Sequence, residues 1–210
     1  MSKYDVVVIG SGPGGYVAAI HAAQSGFKTA IIEKDETGRL GGTCLLRGCI
    51  PTKALLNTAD LIEKMQHSED FGITLENAKV DMVKTQKYKN KVVKKNAGGV
   101  KFLMKKNKID VLLGHGRIES KGKVGVTAKD GTKQVVETKH CILATGSACR
   151  DLPFINMDHE RVVNSDDILD FDAIPESLVV LGAGAVGSEF ASVFLRYGTK
   201  VTLVELENRV

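Results

Sequence analysis

Tyr4-Asp5-Val6-Val7-Val8-Ile9-Gly10-Ser11-Gly12-Pro13-Gly14-Gly15 opens the chain with a β-branched run that ends in a cluster of glycines. A run of this kind is typical of a strand covered on both faces, as in a parallel sheet. Tyr16 to Ser25 then reads as an alanine-rich helix closed by Gly26, and Lys28 to Glu33 as a second strand. Between a strand and a helix, a G-x-G-x-x-G pattern carries a meaning that it lacks alone. Its first glycine permits a tight turn, its second lets the backbone approach a pyrophosphate, and its third lets helix and strand pack closely. The helix N-terminus offers amide donors and the positive end of a dipole to the phosphates. Glu33, at the tip of the second strand, stands where a carboxylate can accept hydrogen bonds from a ribose diol.

The pattern recurs near the other end of the chain. Leu178 to Leu181 is a strand and Gly182-Ala183-Gly184-Ala185-Val186-Gly187 a glycine turn. A helix follows to Tyr197, and then a strand from Lys200 to Glu205. A carboxylate at Glu205 would repel a 2′-phosphate, so the second turn is expected to prefer NAD over NADP. Two dinucleotide sites in one chain imply a flavin exchanging electrons with a nicotinamide.

Between the two turns lies Gly41-Gly42-Thr43-Cys44-Leu45-Leu46-Arg47-Gly48-Cys49-Ile50-Pro51-Thr52-Lys53, with an amphipathic helix continuing from Ala54 to His67. Pro51 suits the first turn of a helix. A thiol at Cys49 would therefore feel the positive end of the helix dipole, which favours thiolate. Lys53, four residues on, adds positive charge to the same face. A zinc site would need a second Cys or His pair at ligand spacing, and Cys141 and Cys149 do not supply one. No metal is expected. Cys141 lies in an apolar strand and is read as core, Cys149 as incidental.

At 210 residues, 43% hydrophobic and 26% charged, the chain is long enough for a sizeable core. No apolar run approaches the roughly 18 residues of a membrane helix. Four cysteines are too few for a secreted disulfide scaffold. With the first strand so close to Met1, no leader peptide is expected, and the reading is a cytoplasmic protein. Lys79 to Lys108 holds eleven lysines against one acid, Asp81, which gives it +10 and leaves −6 for the rest. Arginine is absent there and aromatics are sparse, so the stretch reads as the solvated face of a long helix, broken near Gly98-Gly99, and no nucleic-acid partner is expected. From Ile109 to Thr138 the period shifts towards two, with an Asp130-Gly131 turn, giving a small β-meander inserted before the sheet resumes at Cys141 to Ala144. Ser147 to Ser177 is polar and contains Pro153 and Pro175. The expected domains are 1–148, a connection over 149–177, and 178–210. The last holds only one βαβ unit, so the chain is expected to be the front part of a longer protein.

With these residues in place, the whole chain resembles the pyridine nucleotide–disulfide oxidoreductases. The most specific elements are Gly41-Gly42-Thr43-Cys44-x4-Cys49-Ile50-Pro51-Thr52-Lys53, Ala144-Thr145-Gly146-Ser147 and Gly182-x-Gly184-x-x-Gly187-x-Glu189. The resemblance implies an α/β fold. A Rossmann-like FAD-binding domain, a three-layer ββα sandwich with its meander, would be followed by the start of a Rossmann-like NAD-binding domain. It also implies roles. Cys44 would be the interchange thiol and Cys49 the thiol nearest the flavin, the two forming a redox disulfide, with Lys53 beside the flavin ring. Gly10, Gly12, Pro13, Gly14, Gly15, Glu33, Lys34, Gly42, Thr43, Gly116, Thr145, Gly146 and Ser147 would hold FAD. Gly182, Gly184, Val186, Gly187, Glu189 and Glu205 would hold NAD.

Thr52, where glutathione- and thioredoxin-reducing relatives carry a second lysine, and Glu205 point to the branch that oxidises dihydrolipoamide to lipoamide with NAD⁺. Its partners would be the lipoyl domain of a 2-oxo acid dehydrogenase or glycine cleavage complex, and a second copy in a homodimer. A mercuric-reductase-like enzyme and a non-catalytic binding module are the alternatives. Leu46-Arg47 and Cys149 depart from the family pattern without removing a functional group. The family's histidine base comes from a later domain, and His21, His67, His115, His140 and His159 do not match its motif. The chain by itself is therefore expected to turn over little.

Overall fold

The computed structural model describes residues 2–35, 37–150 and 152–209. In chain order its elements are β1 (Lys3–Ile9), α1 (Pro13–Gln24), β2 (Thr29–Glu33), α2 (Gly42–Arg47), α3 (Cys49–Gln66), α4 (Met82–Lys106), β3 (Asp110–Leu113), β4 (His115–Ser120), β5 (Lys123–Thr127), β6 (Lys133–Leu143), α5 (Ser165–Ile168), β7 (Ser177–Leu181), α6 (Ala185–Arg196) and β8 (Lys200–Val204). A single 3₁₀ turn, Ser68–Phe71, follows α3. The chain divides into two compact units, Met1–Leu46 with Val93–Ala148 and Arg47–Val92 with Cys149–Val210.

The first unit is an α/β sandwich built on a six-stranded sheet of order β3-β2-β1-β6-β5-β4. β3, β2, β1 and the second half of β6 run parallel, while β6, β5 and β4 form an antiparallel meander. Successive side chains of a strand point to opposite faces, and the β-branched opening run fills both. Val7 and Ile9 of β1, with Ala30 and Ile32 of β2, meet Val124, Val126 and Val136 of the meander in one core. Val8 and Ile31 alternate to the other face and are equally buried, on the side of α1, which packs on both strands. Each such aliphatic side chain contributes about 1.5–3 kcal/mol by leaving water.

Two expectations change here. The meander is not a separate insertion, because β6 is one continuous strand of 11 residues. Its first part pairs with β5 and its remainder with β1, so that Glu137 stands opposite Lys123 on one side and Lys3 on the other. Asp110–Leu113 also belongs elsewhere than the meander: it pairs in parallel with β2. Its Val-Leu-Leu run has the unalternating character of a parallel strand rather than period two.

The lysine-rich helix is unbroken. α4 runs through Gly98 and Gly99, which are exposed and have no atom within 4 Å of a built Cβ. Each glycine costs a helix about 1 kcal/mol relative to alanine. Burial of Val93, Ala97, Val100 and Met104 on the opposite face offsets that cost.

In the second unit β7 and β8 pair in parallel, joined by α6. α6 packs on α3 through a core of Leu55, Ala59 and Ile62 with Phe190, Val193, Phe194 and Tyr197. The fully buried Phe194 meets Phe171 and Tyr197 edge-on, each with ring centroids 6.1 Å apart. Ile168 and Leu169, from the stretch read as a connection, enter this core. They are delivered by α5, where the Asn164 side chain and Asp167 form a capping box. Within that stretch Asp151 lies outside the described residues.

Candidate functional site

The first glycine turn joins β1 to α1. Gly10 has φ +103°, and the Gly10 carbonyl oxygen lies only 1.8 Å from where a Cβ on Gly15 would sit. Neither position tolerates a side chain, which is why the motif is spelt with glycine at both. Gly10 N–H donates to Ile32 C=O at 2.8 Å, and Ala144 N–H to Ile9 C=O at 2.9 Å. The Ala144–Ser147 end of β6 is thereby set against the turn, and a Cβ on Gly10 would strike the Ala144 carbonyl.

Glu33 is 6% exposed and is bound from within the turn. Its Oε2 accepts the Ser11 N–H at 3.1 Å and the Ser11 hydroxyl, and its Oε1 accepts the Asp35 N–H at 2.7 Å. Ser11 also receives the Gly41 N–H, on its carbonyl at 3.0 Å and its Oγ at 3.2 Å. That ties the segment before Cys44 to the turn, and Gly42 rests so close that a Cβ would lie 2.6 Å from Gly12 Cα. The structure therefore brings together Gly10, Gly12, Gly15, Glu33, Gly42 and the start of Thr145–Ser147. Pro13 and Gly14 open α1, and Lys34 follows β2 on the surface. Gly116 lies on the meander face, where a Cβ would come within 3.0 Å of Ile9 and Ile32 side-chain atoms. Ser11 was legible only as a motif filler; its use as a cross-link has no signature beyond the side-chain hydroxyl.

The two cysteines of the central motif lie on successive helices. Cys44 is half-buried in α2, beside exposed Thr43; Cys49 is the exposed first residue of α3, after Gly48 as N-cap. α3 begins five residues earlier than the amphipathic period indicated, because Pro51 in its first turn needs no intrahelical acceptor. Thr52 is buried, its hydroxyl donating to Gly48 C=O at 2.7 Å. Lys53, one turn beyond Cys49, forms an ion pair with Glu189 of α6. The resemblance assigned these two residues to different cofactors; the structure joins them. Arg196 pairs with Asp60 and, at 3.3 Å, with Glu63, and the Tyr197 hydroxyl donates to Leu55 C=O at 2.9 Å, so α3 and α6 are held along their length. Burial pushes the Tyr197 phenol up to about 12.

The second turn, between β7 and α6, repeats the first. Gly182 has φ +97°, and its carbonyl oxygen lies 1.9 Å from a Cβ built on Gly187. Glu205 Oε2 accepts the Ala183 N–H at 2.6 Å, and its Oε1 the amides of Leu206 and Glu207 at 2.7 and 3.0 Å. The amides of Glu207, Ala183 and Leu206 hold this carboxyl below its ordinary value. Val186 is exposed in the first turn of α6.

Elsewhere, Cys141 fringes the first unit's core, and burial raises its thiol pKa. Cys149 is exposed, with Sγ 3.3 Å from Ser165 Oγ. His159 Nδ1 lies 2.9 Å from Asp167 in an exposed loop. Among the described residues no group of three or more His, Cys, Asp or Glu side chains could hold a metal, and no helix is long and apolar enough to cross a membrane.

Comparison with known proteins matches residues 4–210 to the family described as pyridine nucleotide-disulphide oxidoreductase. Mitochondrial dihydrolipoyl dehydrogenases from Sus scrofa and Homo sapiens are each 47% identical over 209 residues, 98% of this chain. The chain spans 40% of the length of these relatives. Among solved structures, LpdA from Mycobacterium tuberculosis superposes with a TM-score of 0.87 at 26% identity, over all of this chain and 46% of that one. The HOCl-induced flavoprotein disulfide reductase RclA from Escherichia coli, as its Cu(II) complex, gives 0.83 at 28% identity over 99% of this chain and 43% of that one. The chain belongs to the pyridine nucleotide-disulphide oxidoreductase family.

Proposed function

We propose that this chain carries the dinucleotide-binding turns and the redox thiols of an FAD-dependent enzyme that oxidises dihydrolipoamide with NAD⁺. The observation that carries the reading is the doubled turn with its doubly used acid. A carboxylate offers about four lone-pair sites, and the protein fills three on Glu33 and three on Glu205. One site on each remains for a ribose hydroxyl. The fit extends to the second glycines. A Cβ on Gly12 would only touch Gly42 at 3.9 Å and one on Gly184 nothing within 4 Å, so protein packing does not demand glycine there, whereas the close approach of a pyrophosphate would. The first turn would take FAD and the second NAD, with ionised Glu205 repelling a 2′-phosphate.

In the thiol chemistry, one substrate thiolate attacks Cys44 Sγ of a Cys44–Cys49 disulfide, forming a mixed disulfide and releasing Cys49 as thiolate. The second substrate thiolate displaces Cys44 and closes the cyclic disulfide of lipoamide. Two electrons thus pass from substrate to the cysteine pair; of the substrate's two thiol protons, one balances the hydride formed later and one is released. A bound FAD would supply the acceptor for that electron pair and, with one proton, the hydride for NAD⁺. Cys49 stands in the first turn of α3, at the positive end of that helix's dipole. Lys53, held by Glu189, adds positive charge one turn further along. A lipoyl-bearing domain and a second copy of the chain are the partners, and the reducing cytoplasm is the setting this chemistry suits.

Reconstitution with FAD followed by dihydrolipoamide should produce a long-wavelength charge-transfer absorbance. Cys44→Ser, which has no disulfide to reduce, should show that band with oxidised FAD before any dithiol is added, and Cys49→Ser should lose it. A band that survives Cys49→Ser would sink the assignment of the flavin-proximal thiol.

A further inference from the structure

The switch of partners along β6 opens a cleft at the edge of the first unit, at the opposite end of β1 from the glycine turn. The cavity, about 550 Å³, is lined by Lys3, Tyr4 and Asp5 of β1, Lys28, the hairpin Lys121-Gly122-Lys123, and Glu137, Thr138 and Lys139 of β6. Its volume falls within the range of small-molecule sites, about 300–1,000 Å³. Its walls carry five lysines and two carboxylates, an excess of three positive charges.

The two carboxylates are taken. Glu137 pairs with Lys3 at 3.2 Å and Asp5 with Lys139 at 2.7 Å. Asp5 is fixed further by the Lys28 N–H at 2.9 Å. Among the described residues Lys121 and Lys123 have no carboxylate partner, and the Lys28 ammonium rests over the Tyr4 ring, 5.1 Å from its centroid. Tyr4 is itself buried and its hydroxyl donates to Asp110 at 3.0 Å. Like charges gathered in a concave site focus field on an oppositely charged ligand.

We propose that this cleft binds a compact polyphosphate anion, recognised by its phosphate chain. Lysines bind phosphate as point charges, without the fixed bidentate geometry of arginine, so several of them can follow a chain of phosphates. The single aromatic ring is already covered by Lys28, which leaves no platform for a base. A chain of phosphates would bridge the hairpin lysines, Lys121 and Lys123, to Lys28 on the parallel-sheet side. It would clamp the meander to the sheet at the residue where β6 changes partner.

The test is titration of the 210-residue chain, saturated with FAD and NAD⁺ to fill the glycine turns, with inorganic tripolyphosphate while backbone amide shifts are followed by NMR. The largest shifts should fall on Gly122, Lys123 and Thr138. The triple variant Lys28→Gln/Lys121→Gln/Lys123→Gln should bind about tenfold or more weakly, with its other amides unmoved. Removing equal charge from the exposed face of α4, as Lys94→Gln/Lys95→Gln/Lys101→Gln, should change affinity less than about twofold. ATP should bind within about threefold of tripolyphosphate, because no ring stacks on the base. Shifts confined to Gly12–Gly15 and Gly184–Gly187, equal weakening by both triple variants, or a clear preference for ATP would each overturn the proposal.

Discussion

The two glycine turns have nearly the same backbone and different surroundings. In each, the acid accepts the amide 22 residues before it, Ser11 for Glu33 and Ala183 for Glu205. In each, the helix is capped by an extended glycine, Gly12 with φ −66° and Gly184 with φ −65°. The turn geometry therefore comes from the local sequence. Burial does not. β1 lies between β2 and β6, and Val7 and Val8 are 0% exposed, whereas Val179 and Leu181 of β7 are 63% and 53% exposed. The first turn is thus locked by neighbours such as Ala144 and Gly42, while around Gly182 no atom lies within 4 Å of a built Cβ. Local chemistry makes the turn; neighbouring strands make it rigid.

The sharpest way to break this comparison is to add one methyl group to each turn. Gly15→Ala and Gly187→Ala both drive a Cβ into a carbonyl oxygen, so both should destabilise, by about 3 kcal/mol for overpacking of this kind. Each Cβ would also meet a side chain, Ala144 Cβ at 3.4 Å from Gly15 and Val180 Cγ1 at 3.2 Å from Gly187, but the loss should be greater at Gly15, which is buried where Gly187 is half-buried and has more room to relax. Urea unfolding followed by amide signals near each turn measures the two separately, and a larger loss at Gly187 would end the claim that neighbours confer the rigidity.

Removing the acids should cost less. Glu33→Ala leaves the Ser11 and Asp35 amides without their acceptor in a buried place, a loss of about 1–3 kcal/mol. Glu205→Ala should cost less still, since water can replace it. The Glu205 carboxyl lies below its ordinary value when folded. Its contribution is thus fully present above the unfolded-state value and is lost as pH falls through the folded one. Protection of the Ala183 amide, taken relative to its intrinsic exchange rate, should fall on acidification in the native protein and be insensitive to that change in Glu205→Ala. Exchange independent of pH beyond the intrinsic chemical trend would show that the carboxylate does not hold the turn.

The smallest stability effect is expected where ligand binding should suffer most. Gly12→Ala and Gly184→Ala meet no close atom and have backbone angles open to alanine, so stability should move by no more than about 1 kcal/mol. Loss of FAD retention in the first and of NAD⁺ affinity in the second, measured by equilibrium dialysis, would sharpen the division between packing glycines and contact glycines.

Much of this was legible in the sequence because it is local. The glycine turns, the strand runs beside them and the Asp130-Gly131 hairpin all follow from backbone requirements that a few residues express. What was not legible depends on residues far apart in the chain. Gly98-Gly99 reads as a break until the buried face carrying Val93 and Met104 is known. The Lys53–Glu189 pair joins positions 136 apart, and nothing in either motif announces the other. Ser11 shows a middle case: its place in the turn was evident, but its hold on Gly41 was not.

β6 leaves a different mark on what the chain can tolerate. Because its two halves are paired to different strands, its alignment is fixed twice. An extra residue between Ala128 and Thr132 would only enlarge a hairpin loop. An extra residue just after Glu137 would turn Cys141 and every later side chain of the strand to the opposite face. Length variation among descendants of this chain should therefore collect in that hairpin and spare the eleven residues of the strand.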